Sequence, residues 1–225
     1  MQGRLIVFDG GEGGGKTTQL QRSLHWLKDS GWVDLLQAHG HIQKLVATRE
    51  PGGTDLGREI RSLLLGQSPQ ASIYDRVELL LYAADRAQHV EGFLKPQLAE
   101  GALILCDRYT SSTIAYQGHG RGLDLPLIEQ LNQIATHGLQ SDLTLWLDLD
   151  VDTGLERMRQ RGNADRIEQA DRNFHQRVRQ GFAELAISHR DRFVRIDASQ
   201  SEDTVANQIQ IVLSTWLTNW YGVTI

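Results

Sequence analysis

Gly10, Gly15, Lys16 and Thr17 stand at the spacing G-x-x-x-x-G-K-[ST]. The chemistry needs these residue types in this order. Glycines let backbone N–H groups converge on phosphate oxygens with no Cβ in the way. A lysine just beyond them reaches the β- and γ-phosphates, and the adjacent hydroxyl is a ligand for Mg²⁺. The whole stretch Gly10, Gly11, Glu12, Gly13, Gly14, Gly15, Lys16, Thr17 and Thr18 is therefore a candidate triphosphate cradle. Further along, Asp107 closes the apolar run Ala102–Cys106. An acidic residue at a strand end is what a P-loop enzyme uses to organise Mg²⁺ and its water, so Thr17 and Asp107 are the candidate metal residues. Arg49, Arg86 and Arg108, with the cluster Arg157, Arg159, Arg161 and Arg166, supply positive charge for a second phosphorylated molecule.

These residues need a scaffold that brings them together. Short apolar runs at Leu5–Phe8, Lys44–Thr48, Ala102–Cys106, Leu143–Leu147 and Arg192–Ile196 predict five strands. Between them, apolar residues recur at helical spacing, as in Leu20, Leu24 and Leu27, or Phe174, Val178, Phe182 and Leu185. Alternating strands and helices with right-handed crossovers give one doubly wound α/β domain over residues 1–225, with a five-stranded parallel sheet flanked by helices. Thr54 is placed to cap the helix carrying Leu56, Ile60, Leu63 and Leu64, with Arg58 and Arg61 on its polar side. A longer helix is expected from about Asp75 to Leu94, stopping near Pro96, with Tyr82 and Arg86 on one face. Residues 31–43 lose periodicity and are expected as a loop, in which His39 and His41 lack a third metal ligand. Three glycines between 118 and 122 predict a second loop.

The 225 residues carry a formal net charge of −5 and 40 % hydrophobic residues, an ordinary globular composition that argues against a general nucleic-acid binder. Cys106 is the single cysteine, at the end of an apolar run, and suggests a buried, unreactive thiol in a reducing compartment. The first strand begins within a few residues of Met1, so no signal peptide is expected, and no run approaches the length of a membrane span. The expected location is the cytoplasm.

Three kinds of P-loop protein compete. A GTPase carries D-x-x-G after its acidic strand and an Asn-Lys-x-Asp base reader; here Asp107 precedes Arg-Tyr-Thr, and no Asn-Lys pair occurs. A dimerising ATPase with a deviant P-loop needs a second lysine where Gly10 or Gly11 stands. A small-molecule phosphotransferase remains. It must neutralise two phosphorylated substrates, and the arginines at strand ends and in a mobile cover meet that need. A catalytically silent nucleotide-binding protein is the alternative from another class, against which Asp107, Arg108 and the arginine cluster argue.

The blocks Asp9–Thr18, Thr48–Thr54, Tyr82–Arg86, Asp107–Tyr109, Tyr116–Gly122 and Asp165–Glu168, in this order, make the chain resemble the thymidylate kinase family over nearly its full length. The resemblance implies a P-loop nucleoside monophosphate kinase fold with a lid at about 152–168. It implies transfer of the γ-phosphoryl of ATP to dTMP, giving dTDP for dTTP synthesis and DNA replication, with Mg²⁺ accompanying ATP. It implies a homodimer; charge and the lack of a long apolar run leave neither nucleic acid nor membrane as an expected partner. Position by position, Gly10–Thr18 and Asp197, Ala198 and Ser199 would hold ATP. Arg49, Pro51, Tyr82, Arg86, Arg108, Thr113 and Tyr116 would hold dTMP, with Tyr82 stacked on the base and Tyr116 under the deoxyribose. Lys16, Glu12, Arg108 and the lid arginines would be catalytic. The P-loop interior Gly11-Glu-Gly-Gly14 holds no basic residue, so the chain looks like the type whose lid brings the charge. Family members tend to have a cis bond at the position of Glu50-Pro51.

Overall fold

The computed structural model describes residues 3–66, 73–162 and 165–225, and for Arg161 the backbone alone. Five strands form one sheet: β1 (Arg4–Asp9), β2 (Lys44–Arg49), β3 (Ala102–Asp107), β4 (Leu143–Asp148) and β5 (Phe193–Asp197). All are parallel, in the order β2-β3-β1-β4-β5. The chain passes from β1 out to β2, returns to β3 beside β1, then crosses to β4 and β5 on the other side. In such sheets ligands gather beyond the carboxyl ends of the strands at the place where the direction of winding reverses. Asp9, Arg49 and Asp107 are the last residues of β1, β2 and β3, so three of the predicted chemical positions share that edge.

Sheet burial follows from composition. The strands β3 and β4 are buried along their whole length, and β1 from Leu5 to Asp9, which requires the near-continuous apolar runs seen in the sequence. The helices are α1 (Lys16–Asp29), α2 (Trp32–Ala38), α3 (Asp55–Leu65), α4 (Asp75–His89), α5 (Lys95–Ala99), α6 (Thr110–Thr113), α7 (Leu125–Thr136), α8 (Val151–Arg161), α9 (Arg172–Ser188) and α10 (Glu202–Tyr221). On one face of the sheet Ile6, Phe8, Leu103, Leu105, Leu145 and Leu147 pack with Leu20 and Leu27 of α1 and Ile209 and Leu213 of α10. On the other, Leu5, Val7, Ile104 and Cys106 pack with Val90, Leu94 and Leu98. Each such side chain, fully withdrawn from water, is worth roughly 1.5–3 kcal/mol. The Cys106 thiol is buried there, and burial pushes its pKa well up, as expected for an unreactive thiol.

Three local expectations need correction. Residues 31–43 are not all loop: α2 forms because Trp32 and Leu36, four apart, both bury against the core. Seven residues are too few for periodicity to register. The long helix does not stop at Pro96. A π-helical turn at Val90–Leu94 joins α4 to α5, and the wider turn just before Pro96 accommodates a residue without an N–H. The glycine-rich stretch is likewise helical, a π-helix over Ile114–Gly120, in which Ala115 and Tyr116 pack with Phe174, Val178 and Phe182 of α9. Small residues permit that close approach, so tertiary packing overrides the local turn signal. Thr54 does cap α3, accepting from the N–H of Gly57 at 3.0 Å.

Candidate active site

A glycine-rich turn and α1 follow β1 directly, with Gly15 in the left-handed conformation immediately before the helix. Asp9 anchors the turn: its carboxylate accepts from the N–H of Gly10 at 2.9 Å and from the hydroxyls of Ser111 at 2.5 Å and Ser112 at 2.7 Å. The far side of the turn presses on the lid. A Cβ on Gly13 would lie 2.4 Å from the carbonyl oxygen of Gly154 in α8, so neither position accepts a larger residue without displacement. Lys16 is buried, and its Nζ donates to the carbonyl of Gly11 at 2.6 Å. Burial and the nearby Arg108 lower its pKa, against the pull of Glu12, Asp107 and Asp9.

Beside Lys16, the Thr17 hydroxyl donates to Oδ2 of Asp107 at 2.5 Å. Two hard oxygen groups from α1 and β3 thus meet where the sequence placed the metal, which suits Mg²⁺ bound through few protein ligands and the phosphates. Arg108 follows at once, in a left-handed backbone conformation (φ 71°) that a non-glycine residue adopts only when its surroundings insist. Its guanidinium donates to Oε1 of Glu12 at 2.7 Å and to Gly10 O and Ser112 Oγ, both at 3.1 Å, and lies over the Tyr116 ring. Tyr116 also donates to Glu12 Oε1, at 2.6 Å. Burial pushes the Glu12 carboxyl up, but Arg108, Lys16, the Tyr116 hydroxyl and His175 together outweigh it, and its pKa falls to about 2. Glu12 is therefore ionised throughout the physiological range.

The turn after β2 contains a cis Glu50-Pro51 bond. Beneath it lies a buried network. Glu50 accepts from Arg86 Nε at 2.8 Å and pairs with His89 Nδ1 at 2.9 Å, and His89 Nε2 meets the Thr48 hydroxyl at 2.7 Å. Gly53 is required here, because a Cβ would sit 2.5 Å from His89 Nε2. Arg86 also donates to Thr113, to Asn132 and to the carbonyl of Tyr109. Asp85 supports the same turn, accepting from the N–H of Gly52 at 2.9 Å, while its Oδ2 is buried without a partner among the described residues. Burial raises its pKa from 3.8 to about 6. For an acid with a raised folded pKa, the stabilisation is full below the unfolded value and is lost as pH rises through the folded one. Asp85→Asn is thus expected to flatten this dependence. It gains up to about 3 kcal/mol over the parent at pH 8 and nothing at pH 4, measured by urea unfolding at the two pH values. An equal difference at both would refute the assignment.

A cavity of about 350 Å³ joins these parts. Of the predicted residues, Glu12, Gly13, Gly15, Lys16, Thr17, Thr18, Arg49, Pro51, Tyr82, Arg86, Asp107, Arg108, Thr113, Tyr116 and Arg157 line it. Arg157 Nη1 donates to the carbonyl of Ala198 at 3.2 Å and reaches that of Gly13 at 3.5 Å, so the turn Asp197–Ser199 abuts the P-loop through a lid arginine. The other arginines differ from the expectation. Arg159 is exposed beside Glu156, at 3.6 Å. Arg166 donates to the carbonyl of Leu64 and pairs with the buried carboxylate of Glu78, which also holds Gln117 and Arg121. In this conformation its charge ties the lid to α3 and α4 rather than to the glycine-rich turn. The Arg161 side chain and residues 163 and 164 of the lid lie outside the described residues.

Sequence reasoning left out Arg61, Gln117, Met158, Asp165, Ile167 and Glu168, all of which line the cavity. Arg61 was visible only as a polar-side residue of α3. In the fold it is partly buried, donates to the carbonyl of Pro51 at 3.0 Å, and has its pKa lowered by burial and by Arg49. Asp165, Ile167 and Glu168 lie in the Asp165–Glu168 block that carries the family resemblance, but have no chemical signal of their own in the sequence.

The thymidylate kinase family model matches residues 8–209. The chain is 60 % identical over 228 residues to the thymidylate kinase of Cyanothece sp., covering 98 % of this chain and 97 % of the relative. It is 56 % identical over 230 residues to that of Acaryochloris marina, covering 98 % and 100 %. The crystal structure of thymidylate kinase from Ehrlichia chaffeensis superimposes with a TM-score of 0.75 at 30 % identity, over 95 % of this chain and 100 % of that one. With a P-loop nucleoside monophosphate kinase fold, a lid arginine reaching the glycine-rich turn and these full-length similarities, the chain belongs to the thymidylate kinase family.

Proposed function

We propose that the cavity between the P-loop and Tyr82 is where the chain carries out its reaction, transfer of the γ-phosphoryl of ATP to dTMP. A phosphate oxygen of dTMP attacks the γ-phosphorus, the bond from that phosphorus to the β–γ bridging oxygen breaks, and dTDP and ADP leave. The observation that carries this reading is the two-ended cavity itself. At one end stand Lys16, Thr17 and Thr18; at the other, Tyr82, Thr113 and Tyr116, with Arg49 and Arg61 between. Arg49 and Arg61 have no carboxylate partner among the described residues, which leaves their charge for a phosphate.

In this scheme Gly10–Thr18 bind the triphosphate and Lys16 stabilises charge on the transferred group. Tyr82 stacks on thymine, and Glu12 with Tyr116 shapes the sugar site. Arg49, Arg61 and Arg108 hold the acceptor phosphate, and Arg157 brings lid charge to the P-loop. Arg86 acts from beneath, presenting Thr113 rather than a free guanidinium. Mg²⁺, proposed to enter with ATP, would be held through Thr17 and Asp107 and would neutralise phosphate charge. A homodimer is proposed through α3, α4 and α7. Leu56, Leu63, Val77, Leu80, Leu127 and Ile134 on these helices are exposed, Leu56 and Leu63 among them despite lying at helical spacing with Ile60 and Leu64. The proposed location is the cytoplasm. Among the described residues no helix is long and apolar enough to cross a membrane.

The test is acceptor choice. With ATP as donor, coupled ADP release is measured for dTMP, dUMP, CMP, GMP and AMP. The expected result is dTMP clearly ahead in kcat/KM; AMP or GMP ahead, or no acceptor-dependent release, would refute the assignment.

A further inference from the structure

His175 lies on α9 and is only 5 % exposed, yet its Nε2 has no hydrogen-bond partner among the described residues. A buried imidazole nitrogen without a partner is costly, and native structures leave few such atoms unsatisfied. His175 forms part of the wall of a second, small cavity of about 20 Å³, apart from the substrate cavity. Its other polar surroundings are Gly11 and Glu12 of the P-loop, Asp148 at the end of β4, and Arg179 of α9; Trp146, Leu149, Val151 and Leu155 complete it. Asp148 is already engaged, by Arg179 at 2.7 Å and Arg195 at 2.7 Å. Glu12 is not fully engaged. Both of its protein hydrogen bonds, from Arg108 and Tyr116, fall on Oε1, and Oε2 has none among the described residues.

A polar cavity of this size takes one water molecule. We propose that His175 is a positioning residue for Glu12, acting through one water held in this cavity between the imidazole Nε2 and the P-loop. The physical case is rotational. A carboxylate fixed through a single oxygen can swing about that contact, and Glu12 is the group that orients both Arg108 and Tyr116. A bridged second contact, nearly as good as a direct hydrogen bond, would hold the carboxylate in one plane. The bridge also crosses between elements, joining the helix that follows the lid to the loop before α1. The proposal rests on the reading that Glu12 works in the acceptor site.

A double-mutant cycle tests it, with kcat measured at saturating ATP and dTMP. His175→Phe is expected to lower kcat about tenfold with the KM for ATP unchanged, and His175→Gln, which keeps a polar group at the cavity, to recover most of the loss. In a Glu12→Gln background, His175→Phe should add nothing, because both changes act through one carboxylate. Losses that multiply would overturn the proposal while leaving Glu12 in its acceptor role. A Glu12→Gln variant with normal kcat would instead overturn that role, and the proposal with it. Should the phenylalanine variant not fold, His175→Ala takes its place in the cycle.

Discussion

Replacing Lys16 with methionine is expected to lower kcat by two to three orders of magnitude, a loss of about 3–4 kcal/mol of transition-state stabilisation. The size follows from position. Lys16 is buried at the mouth of α1, so water does little to screen its charge, and phosphoryl transfer offers the protein mainly positioning and electrostatics to work with. Methionine keeps the unbranched apolar stem and loses the cation together with its bond to the carbonyl of Gly11. The fold should tolerate it. Burial already disfavours the lysine charge, so removing that charge relieves a penalty, and the melting temperature is expected to hold or rise. The measurement is single-turnover and steady-state ADP release beside a thermal melt. A variant with near-normal kcat would remove Lys16 from the chemistry, while a collapsed melt would show that the lysine is structural.

The largest effect on stability is expected at Arg86. The Arg86–Glu50 pair, with side chains 2 % and 3 % exposed, sits under the turn that contains Pro51. Arg86→Met removes one partner, leaving the Glu50 carboxylate beside His89 alone, and strips donors from Thr113, Asn132 and the Tyr109 carbonyl. Breaking a buried pair from one side costs about 3–5 kcal/mol, chiefly because a charge is left without compensation. The companion variant separates that cause from lost packing. Adding Glu50→Gln to Arg86→Met neutralises the abandoned charge and should restore part of the stability in urea titrations. If the double variant is less stable than Arg86→Met by the full cost of Glu50→Gln alone, the ion pair is not what holds this turn.

The Arg86 case also marks where sequence patterns stop. Tyr82 and Arg86 at i and i+4 predicted a ring and a guanidinium on one face, and both do line the cavity. Nothing in the spacing says that most of the guanidinium's donors are taken by the protein, because Glu50, Thr113 and Asn132 come from distant parts of the chain. Arg61 shows the reverse. It looked like a solvent-facing residue of α3, and only the packing of the Pro51 turn against that helix brings it to the cavity. Apolar stripes behaved in the same way: Leu56, Leu63, Leu127 and Ile134 satisfy helical periodicity but point outward, since a helix whose apolar arc is too wide can bury only part of it.

By itself the sequence determined the five strands and the longer helices between them, the glycine-lysine-hydroxyl turn after β1 and the acidic and basic strand ends. Those are local properties: a buried parallel strand demands a continuous apolar run, and a phosphate loop demands glycine, lysine and a hydroxyl at fixed spacing. Only the tertiary structure decided which arginines face the cavity, that Arg166 pairs with Glu78 while Arg157 reaches the P-loop, and that Glu12 binds Arg108 and Tyr116 through one oxygen. These are contacts between residues far apart in the chain. Their geometry comes from how helices pack on the sheet, and no residue's own neighbours in sequence encode it.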